Sequence, residues 1–265
     1  MNIYLHELYS LRKSLLIWSI SLVALILIYF AMFSPIVNDA EMFIKTLEGY
    51  PESFRDAIFL NIDTVASELG YYSFTLGFVT LSAGIQAMNY GIGIISKELR
   101  EKTADFLLTK PISRVKIMIS KILSSLTVLL LTNIIIITTS YTALTVVKIN
   151  DFSFLRFLLM SLSIFLIQLF IFSLGVLISV SVKKVKSVLP ISLGIVLVFY
   201  SIAVFIAKDE DDITRYLTPF RYFDTNYIRV NGHMEISFLI IALIITILFF
   251  TSSFIIFKKK DIHAV

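Results

Sequence analysis

Six apolar stretches, each long enough to cross a bilayer, constrain the fold of this chain more than any other feature of its sequence. They are Leu15–Val37, Tyr71–Ile95, Ile117–Val147, Phe154–Val182, Ser187–Ala207 and Ile236–Phe257. A transmembrane helix needs about 20 apolar residues to cross the hydrocarbon core. The chain is 57% hydrophobic and 16% charged, whereas soluble domains carry about 25% charged residues. We therefore predict an all-α polytopic membrane protein with six transmembrane helices.

A secretory signal peptide is the alternative interpretation of the first stretch. Its apolar region is longer than the 7–15 residues of a signal peptide, and no small-residue cleavage site precedes Ser34 and Pro35. We interpret it as a retained span.

The distribution of charge predicts the orientation in the membrane. With the N-terminus inside, the inner segments hold 15 of the 23 basic residues and 5 of the 19 acidic ones, a net charge of +10. The outer segments hold the remaining 8 basic and 14 acidic residues, a net charge of −6. Lys and Arg are enriched in cytoplasmic loops. Both termini are therefore expected in the cytoplasm, and nucleic acid is not an expected partner. We expect the chain in the plasma membrane of a bacterium.

The chain reads as a single permease domain over residues 1–265. Residues 1–14 mix apolar with charged residues and predict an interfacial helix on the inner leaflet. Two acidic outer loops cover residues 38–70 and 208–235, with apolar spacing in the first that predicts short extracellular amphipathic helices. A charged segment at residues 96–116 lies between the second and third spans.

That charged segment is the sizeable insert on the inner side. On a helix, one face would be polar and carry Glu98, Lys102 and Asp105. Pro111 disfavours helix at the residue before it, and Ser113 can cap the helix that enters the third span. The segment is either a contact for a soluble partner or a solvated connector whose charges only enforce topology.

The same segment resembles the motif of the type-2 ABC exporter permease family, whose members have a type V transporter fold. The matching positions are Glu98, Thr103, Leu107, Leu108, Thr109, Pro111, Ile112, Ser113, Arg114 and Lys121. Lys102 stands where the family usually has Gly, and Ala104 where Leu is common. Tyr-Pro-Glu-Ser-Phe-Arg at residues 50–55 and Thr-Pro-Phe-Arg-Tyr-Phe at residues 218–223 extend the resemblance across the chain.

The resemblance implies a dimer of six-span subunits, each standing on a separate ATP-binding subunit that binds ATP and Mg. The charged segment would be the coupling helix, with its ATPase contact and shape set by Glu98, Lys102, Thr103, Asp105, Pro111, Ser113 and Arg114. The chain has no Gly-x-x-x-x-Gly-Lys-Ser/Thr loop for nucleotide phosphates. We therefore expect no cofactor and no enzyme activity in this chain.

A stripe of small residues runs down the second span. Its members recur at spacings of three and four and are Ser73, Gly77, Thr80, Gly84, Ala87 and Gly91. Small residues allow helix backbones to approach closely in lipid. Static packing within one subunit is the commoner use; a moving contact at the dimer seam or along the translocation path is the alternative.

Four polar side chains are predicted at membrane depth, at Gln86, Asn89, Asn133 and Gln168. Gln168 also belongs to a seven-residue spacing on the fourth span, with Ser161 and Gly175. Such groups usually form hydrogen bonds between helices. Lining a path for an amphipathic cargo is the alternative.

No Asp, Glu, Lys or Arg lies in the middle of a predicted span, although ion-coupled carriers usually need such residues. No catalytic constellation or metal motif is present, and the chain has no cysteine. We predict a homodimeric permease of an ATP-driven exporter for a hydrophobic or amphipathic cargo, with a peptide such as an antimicrobial first and a drug (multidrug export) or lipid-like molecule next. A secondary transporter or channel, or a non-transporting sensor or scaffold subunit, are the alternatives.

Overall fold

Six helices of this protein are apolar and long enough to cross a membrane. The computed structural model describes residues 3–50, 65–101, 113–182, 185–205 and 213–259, and no strand occurs in these ranges. The candidate spans are Ile3–Asn38, Glu68–Ser96, Arg114–Val147, Phe154–Ser181, Val188–Phe205 and Ile236–Lys259. Each overlaps one predicted stretch, so the prediction of an all-α protein with six transmembrane helices is confirmed.

Nine α-helices and two 3₁₀ turns make up the described part of the chain. The helices are α1 (Ile3–Ala31), α2 (Phe33–Asn38), α3 (Ala40–Glu48), α4 (Glu68–Glu101), α5 (Arg114–Val147), α6 (Phe154–Ser181), α7 (Val188–Phe205), α8 (Thr225–Asn231) and α9 (Ile236–Lys259). The 3₁₀ turns, Ile213–Leu217 and Pro219–Arg221, lie between α7 and α8.

The N-terminal residues continue the first span instead of forming a separate helix. The sequence predicts an interfacial helix over residues 1–14, but α1 runs unbroken from Ile3 to Ala31 and contains no Gly or Pro that would end it at Ser14. Its 29 residues correspond to about 44 Å. Because the hydrocarbon core is about 30 Å thick, α1 must tilt or extend beyond it.

The segments at the opposite end of the molecule fold over the spans as short helices. In the first predicted outer loop, α3 covers Ala40–Glu48, while residues 51–64 lie outside the described residues. In the second, the Asp224 carboxylate caps α8 by accepting hydrogen bonds from the N–H groups of Asn226 and Tyr227 at 2.7 and 3.2 Å. The helix ends at Gly232, whose φ of 74° favours glycine.

Helices α4 and α6 form the centre of the subunit. In the most apolar 18-residue window of each, 67% of residues are buried, against 11% in α9. Helix α9 packs on α6, α7 packs on α4, and α1 packs on α5. Most of α9, α1 and α7 is therefore available to lipid or to another chain.

Two apolar clusters fill the interior. The cluster nearer the ends of α4 and α6 includes Met88, Ile92, Phe172 and Val176. The cluster nearer their beginnings is aromatic, with Phe30, Phe33, Tyr71, Tyr72 and Phe157 among its members. The Tyr72 and Phe157 rings stack at a centroid distance of 4.9 Å, and this contact fixes the start of α4 against the start of α6.

The predicted orientation can be tested with single cysteines, because the chain has none of its own. Asn150, in the turn after α5, and Ser187, before α7, are both exposed and lie at opposite ends of the bundle. In intact cells we expect a membrane-impermeant maleimide to label N150C but not S187C. Both variants should react after the cells are permeabilised. Labelling of S187C alone in intact cells would show that the topology is the inverse of the predicted one.

Candidate coupling and transport surfaces

The predicted coupling segment lies between the end of α4 and the start of α5. Glu98 belongs to the backbone of α4, whereas Lys102, Thr103, Asp105 and Pro111 lie outside the described residues. Helices α4 and α5 have 34 residues each, or about 51 Å. Both are therefore longer than the hydrocarbon core is thick.

Ser113 begins α5 as the sequence predicts. Its hydroxyl accepts a hydrogen bond from the N–H of Lys116 at 3.3 Å, and its backbone is extended. Arg114 is the first residue of α5. An N-cap stabilises a helix by about 1 kcal/mol, so Ser113 helps to fix where the coupling segment ends and the rigid helix begins.

A buried ion pair joins the start of α5 to α1. Lys121 Nζ lies 2.8 Å from Glu7 Oε1, and the two side chains are 3% and 15% exposed. Nearly two turns further along α5, the hydroxyls of Thr127 and Tyr4 hydrogen-bond at 3.0 Å. Sequence reasoning placed Lys121 among the inner charges without finding its partner. The available signal is that Glu7 is the one acidic residue before Asp39.

The seven-residue spacing on α6 faces α4. The Ser161 hydroxyl hydrogen-bonds the Tyr72 hydroxyl at 2.7 Å, and Gln168 Nε2 donates to the carbonyl of Ala83 at 3.1 Å. Gly175 packs directly against the α4 backbone. All three residues lie on one edge of α6, and we call the contact they form with α4 the α4–α6 seam.

Three of the small residues of α4, Gly84, Ala87 and Gly91, are packed inside the subunit. A Cβ built on Gly91 would lie 2.5 Å from the Phe172 carbonyl oxygen and 2.8 Å from Gly175 Cα. A Cβ on Gly84 would lie 3.0 Å from Ile171 and 3.2 Å from Phe220. Ala87 is fully buried. The structure therefore places Gly84, Ala87 and Gly91 in packing inside one subunit.

Gly77 has different surroundings. It lines a cavity of about 40 Å³ with Ser73, Thr80 and Asp224. The cavity lies beneath the segment before α8, at the end of the molecule away from the coupling segment. Its volume holds little more than one or two water molecules, so it is far too small for the proposed cargo.

A polar network at membrane depth connects three helices. Gln86 Nε2 donates to the Thr132 hydroxyl at 3.0 Å, and Gln168 Nε2 donates to Gln86 Oε1 at 3.2 Å. Asn133 Nδ2 donates to Gln168 Oε1 and to the carbonyl of Leu129. Gln86 and Gln168 are fully buried, so the network joins α4, α5 and α6 without contact with lipid.

Asn89 does not belong to this network. It is half-buried and lines a separate, larger cavity near the coupling end of the bundle, together with Tyr90 and Lys121. Of the four predicted polar residues, three thus connect helices, and Asn89 is the one that faces open volume.

The segment between α7 and α9 is fastened to the spans by polar contacts that sequence reasoning missed. Arg215 Nη2 lies 2.6 Å from Glu235 Oε1 and 3.1 Å from the Arg221 carbonyl oxygen, and its guanidinium covers the Phe238 ring at 4.3 Å. The Thr218 hydroxyl donates to the Phe199 carbonyl at 2.8 Å. These contacts hold residues 213–235 across the ends of α7 and α9.

Further polar groups at this end are satisfied internally. The buried Glu68 carboxylate caps the turn after α5, accepting hydrogen bonds from the N–H groups of Ile149 and Asn150 at 3.1 and 2.6 Å. Burial raises the pKa of Tyr222, whose hydroxyl donates to the Tyr216 carbonyl at 2.7 Å. The phenol therefore stays neutral at physiological pH.

Two arginines give the same end a local positive charge. Burial lowers the pKa of Arg229, the positive charge of Arg156 lowers it further, and Asp224 offsets part of the shift. An arginine remains protonated at any physiological pH.

No group of three or more His, Cys, Asp or Glu residues suited to a metal occurs among the residues that the structure describes.

Because the two backbones are in close contact at the α4–α6 seam, we predict that an added methyl group lowers the stability of the protein at Gly91 but not at Gly93. Gly91→Ala should lower the free energy of unfolding by about 1–3 kcal/mol, because backbone atoms must move to accept the Cβ. Gly93→Ala is the matched control, since its Cβ would meet nothing within 4 Å. The measurement is unfolding in mixed micelles at increasing SDS fraction. Equal stability of the two variants would contradict the packing.

The polar network predicts a second stability difference. Gln168→Leu should destabilise the protein by about 1–2 kcal/mol, because the buried Gln86 Oε1 loses its donor and Asn133 Nδ2 loses one of its two acceptors. Thr138→Val is the control, as Thr138 is exposed and hydrogen-bonds only within its own helix, to Ile134. The same SDS titration measures both, and a Gln168→Leu variant as stable as Thr138→Val would argue against the network.

Comparison with known proteins identifies the family. A search among curated proteins found no match. The family model described as ABC-2 family transporter protein matches residues 1–262, almost the whole chain. This match agrees with the six spans and with the motif at residues 98–121. The chain belongs to the ABC-2 transporter family and is a membrane permease subunit of an ABC transporter.

Proposed function

We propose that this protein is the permease of an ATP-driven exporter and that it works as a homodimer on two separate ATP-binding subunits. The observation that carries the proposal is the family match over residues 1–262. Members of such complexes need a contact through which the ATPase moves the spans. The segment between α4 and α5 is the natural candidate, because it joins two helices that are each longer than the hydrocarbon core is thick.

The packing described above supports transmission of movement from that segment. Helix α4 is fixed to α6 along the α4–α6 seam, and α5 is fixed to α1 through Lys121 and Glu7. Packed helices move as rigid bodies since their interiors cannot be compressed. A displacement of the coupling segment would therefore reach four of the six spans directly.

The interior supports a hydrophobic or amphipathic cargo. In the described part of the spans, the buried ionised groups lie near the helix ends, with Lys121 paired to Glu7. At mid-depth the buried polar groups are amides and hydroxyls that bond one another. Such a subunit offers no charged site for an ion or sugar phosphate at mid-depth. A peptide is the first candidate, and a drug or lipid-like molecule the next.

Purification of the tagged chain from its native membrane in mild detergent tests the proposed complex. We expect mass spectrometry to find a stoichiometric ATP-binding-cassette subunit. The double variant E98K/R114E should lose that subunit, because both charges flank the proposed contact. The control is K148E, an exposed charge at the opposite end of the bundle, which should retain the subunit.

Two results would contradict this proposal. If the wild-type chain purifies without an ATPase, the proposed motor is missing, and an ion-coupled carrier or channel is favoured. A complete complex whose ATP hydrolysis is unaffected by any candidate cargo would favour a sensor or scaffold. In a coupled exporter, exchanging the charges of Glu98 and Lys102 should inhibit transport.

A further inference from the structure

A cavity of about 340 Å³ lies within the subunit at the coupling end of the bundle. Four helix ends enclose it: the start of α1, the end of α4, the start of α5 and the start of α7. Its lining residues are Glu7, Leu11, Ser14, Asn89, Tyr90, Gly93, Ile94, Lys121, Ser125, Ser187, Val188 and Leu189. Ligand sites for small molecules begin at about 300 Å³, so the volume suits a headgroup or a small molecule.

One wall of the cavity carries both a cation and an anion. Glu7 and Lys121 lie 2.8 Å apart, and together they contribute no net charge. In a low-dielectric site, a ligand with a net charge would remain uncompensated, at a high desolvation cost. A ligand that is itself neutral overall but carries separated charges would be compensated at both ends.

A buried hydroxyl on the same wall lacks a partner. Tyr90 is 4% exposed, and its hydroxyl has no hydrogen-bond partner among the described residues. The nearest polar side chains are those of Ser14 and Gln86, which interact with this hydroxyl only weakly. Leaving a buried hydroxyl without a good partner is unfavourable, because the group has lost its hydrogen bonds to water. A ligand oxygen in the adjoining cavity would satisfy it.

The rest of the lining is apolar. Leu11, Ile94, Val188 and Leu189 form this part, and Leu189 is 53% exposed at the outside of the bundle. An acyl chain or apolar side chain could therefore leave the cavity past Leu189 while the polar end stays inside. The combination of walls suits an amphipathic molecule with a compact polar end.

We propose that this cavity binds a zwitterion in which a primary ammonium lies close to an anionic group, on an amphipathic molecule. The ammonium pairs with the Glu7 carboxylate, and the anionic group accepts hydrogen bonds from Lys121 and from the Tyr90 hydroxyl. Two sources carry this chemistry: the ethanolamine headgroup of a membrane phospholipid, and the amino-acid end of an amphipathic cargo. The lipid source is independent of export, whereas the cargo source rests on the proposed function.

Native mass spectrometry of the full chain, released from micelles of equimolar lipids, tests the proposal. The probes are phosphatidylethanolamine, phosphatidylcholine, whose quaternary ammonium cannot donate to Glu7, and phosphatidylglycerol, which has no ammonium. We expect phosphatidylethanolamine to be retained about tenfold more strongly than either. In E7Q/K121M, which removes both charges and leaves neither unpaired, that preference should disappear.

Two further variants make the test specific. Tyr90→Phe, which removes only the hydroxyl, should weaken retention several-fold. K148M/D151N removes an exposed ion pair of 2.6 Å at the other end of the bundle and should bind as wild type does. Retention in E7Q/K121M equal to that of wild type, or equal retention of phosphatidylglycerol, would overturn the proposal.

A competition experiment separates the two sources. Nε-lauroyl-lysine carries an adjacent ammonium and carboxylate without phosphate or glycerol. Displacement of phosphatidylethanolamine at comparable concentration would assign the site to the amino-acid end of a cargo. Retention of the phospholipid against it would assign the site to a lipid headgroup. Because binding is measured without an ATPase, a failure to bind these lipids would leave the proposed export function unaffected. A failure of the proposed export function would likewise leave the measured lipid binding unaffected.

Discussion

The approach of two backbones at Gly91 and Gly175 is the contact on which the rest of the subunit depends. In lipid no hydrophobic effect drives helices together, so their association relies on dispersion and on hydrogen bonds between them. Both terms need short distances, which side chains at these two positions would prevent. Once α4 and α6 touch there, Gln86 and Gln168 come within hydrogen-bond distance, and Tyr72 reaches Ser161. The other four spans pack around this pair.

The buried polar groups in the middle of the bundle differ in kind from those at its ends. Amides and hydroxyls bond across α4, α5 and α6 in the middle of the bundle. Ionised side chains occur near the ends, as the pairs of Lys121 with Glu7 and Arg215 with Glu235. Ion pairs near the interface cost less desolvation than pairs at the bilayer centre. This arrangement explains how largely apolar spans keep a defined helix register without a charge in the middle of a span.

The transmembrane helices could be predicted from the sequence. In lipid, backbone N–H and C=O groups must form hydrogen bonds within the protein, so a long apolar stretch must be helical. The sequence also placed Ser113 at the start of α5 and, through seven-residue spacing, the edge of α6 formed by Ser161, Gln168 and Gly175. It could not show which helix faces that edge, because periodicity contains no information about the neighbour. The partner of Lys121 was missed for the same reason, because Glu7 lies on a different helix. Glu235 lies 20 residues from Arg215 in the same outer segment, where no helical periodicity relates the two. Residues 3–31 form one continuous helix, because an amphipathic composition does not by itself end a helix that lacks Gly and Pro. The interfacial position of residues 1–14 stays a prediction.

The segment at residues 213–235 has a mechanical consequence. Arg215, Thr218 and Arg221 attach it to both α7 and α9, through a buried ion pair and hydrogen bonds to the ends of α7. At the opposite end, α7 begins beside the larger cavity, with Val188 and Leu189 in its lining. Helix α7 is thus tied to its neighbours at one end and borders open volume at the other. A force applied beside the cavity would turn α7 about its tied end, as a lever turns about a fulcrum.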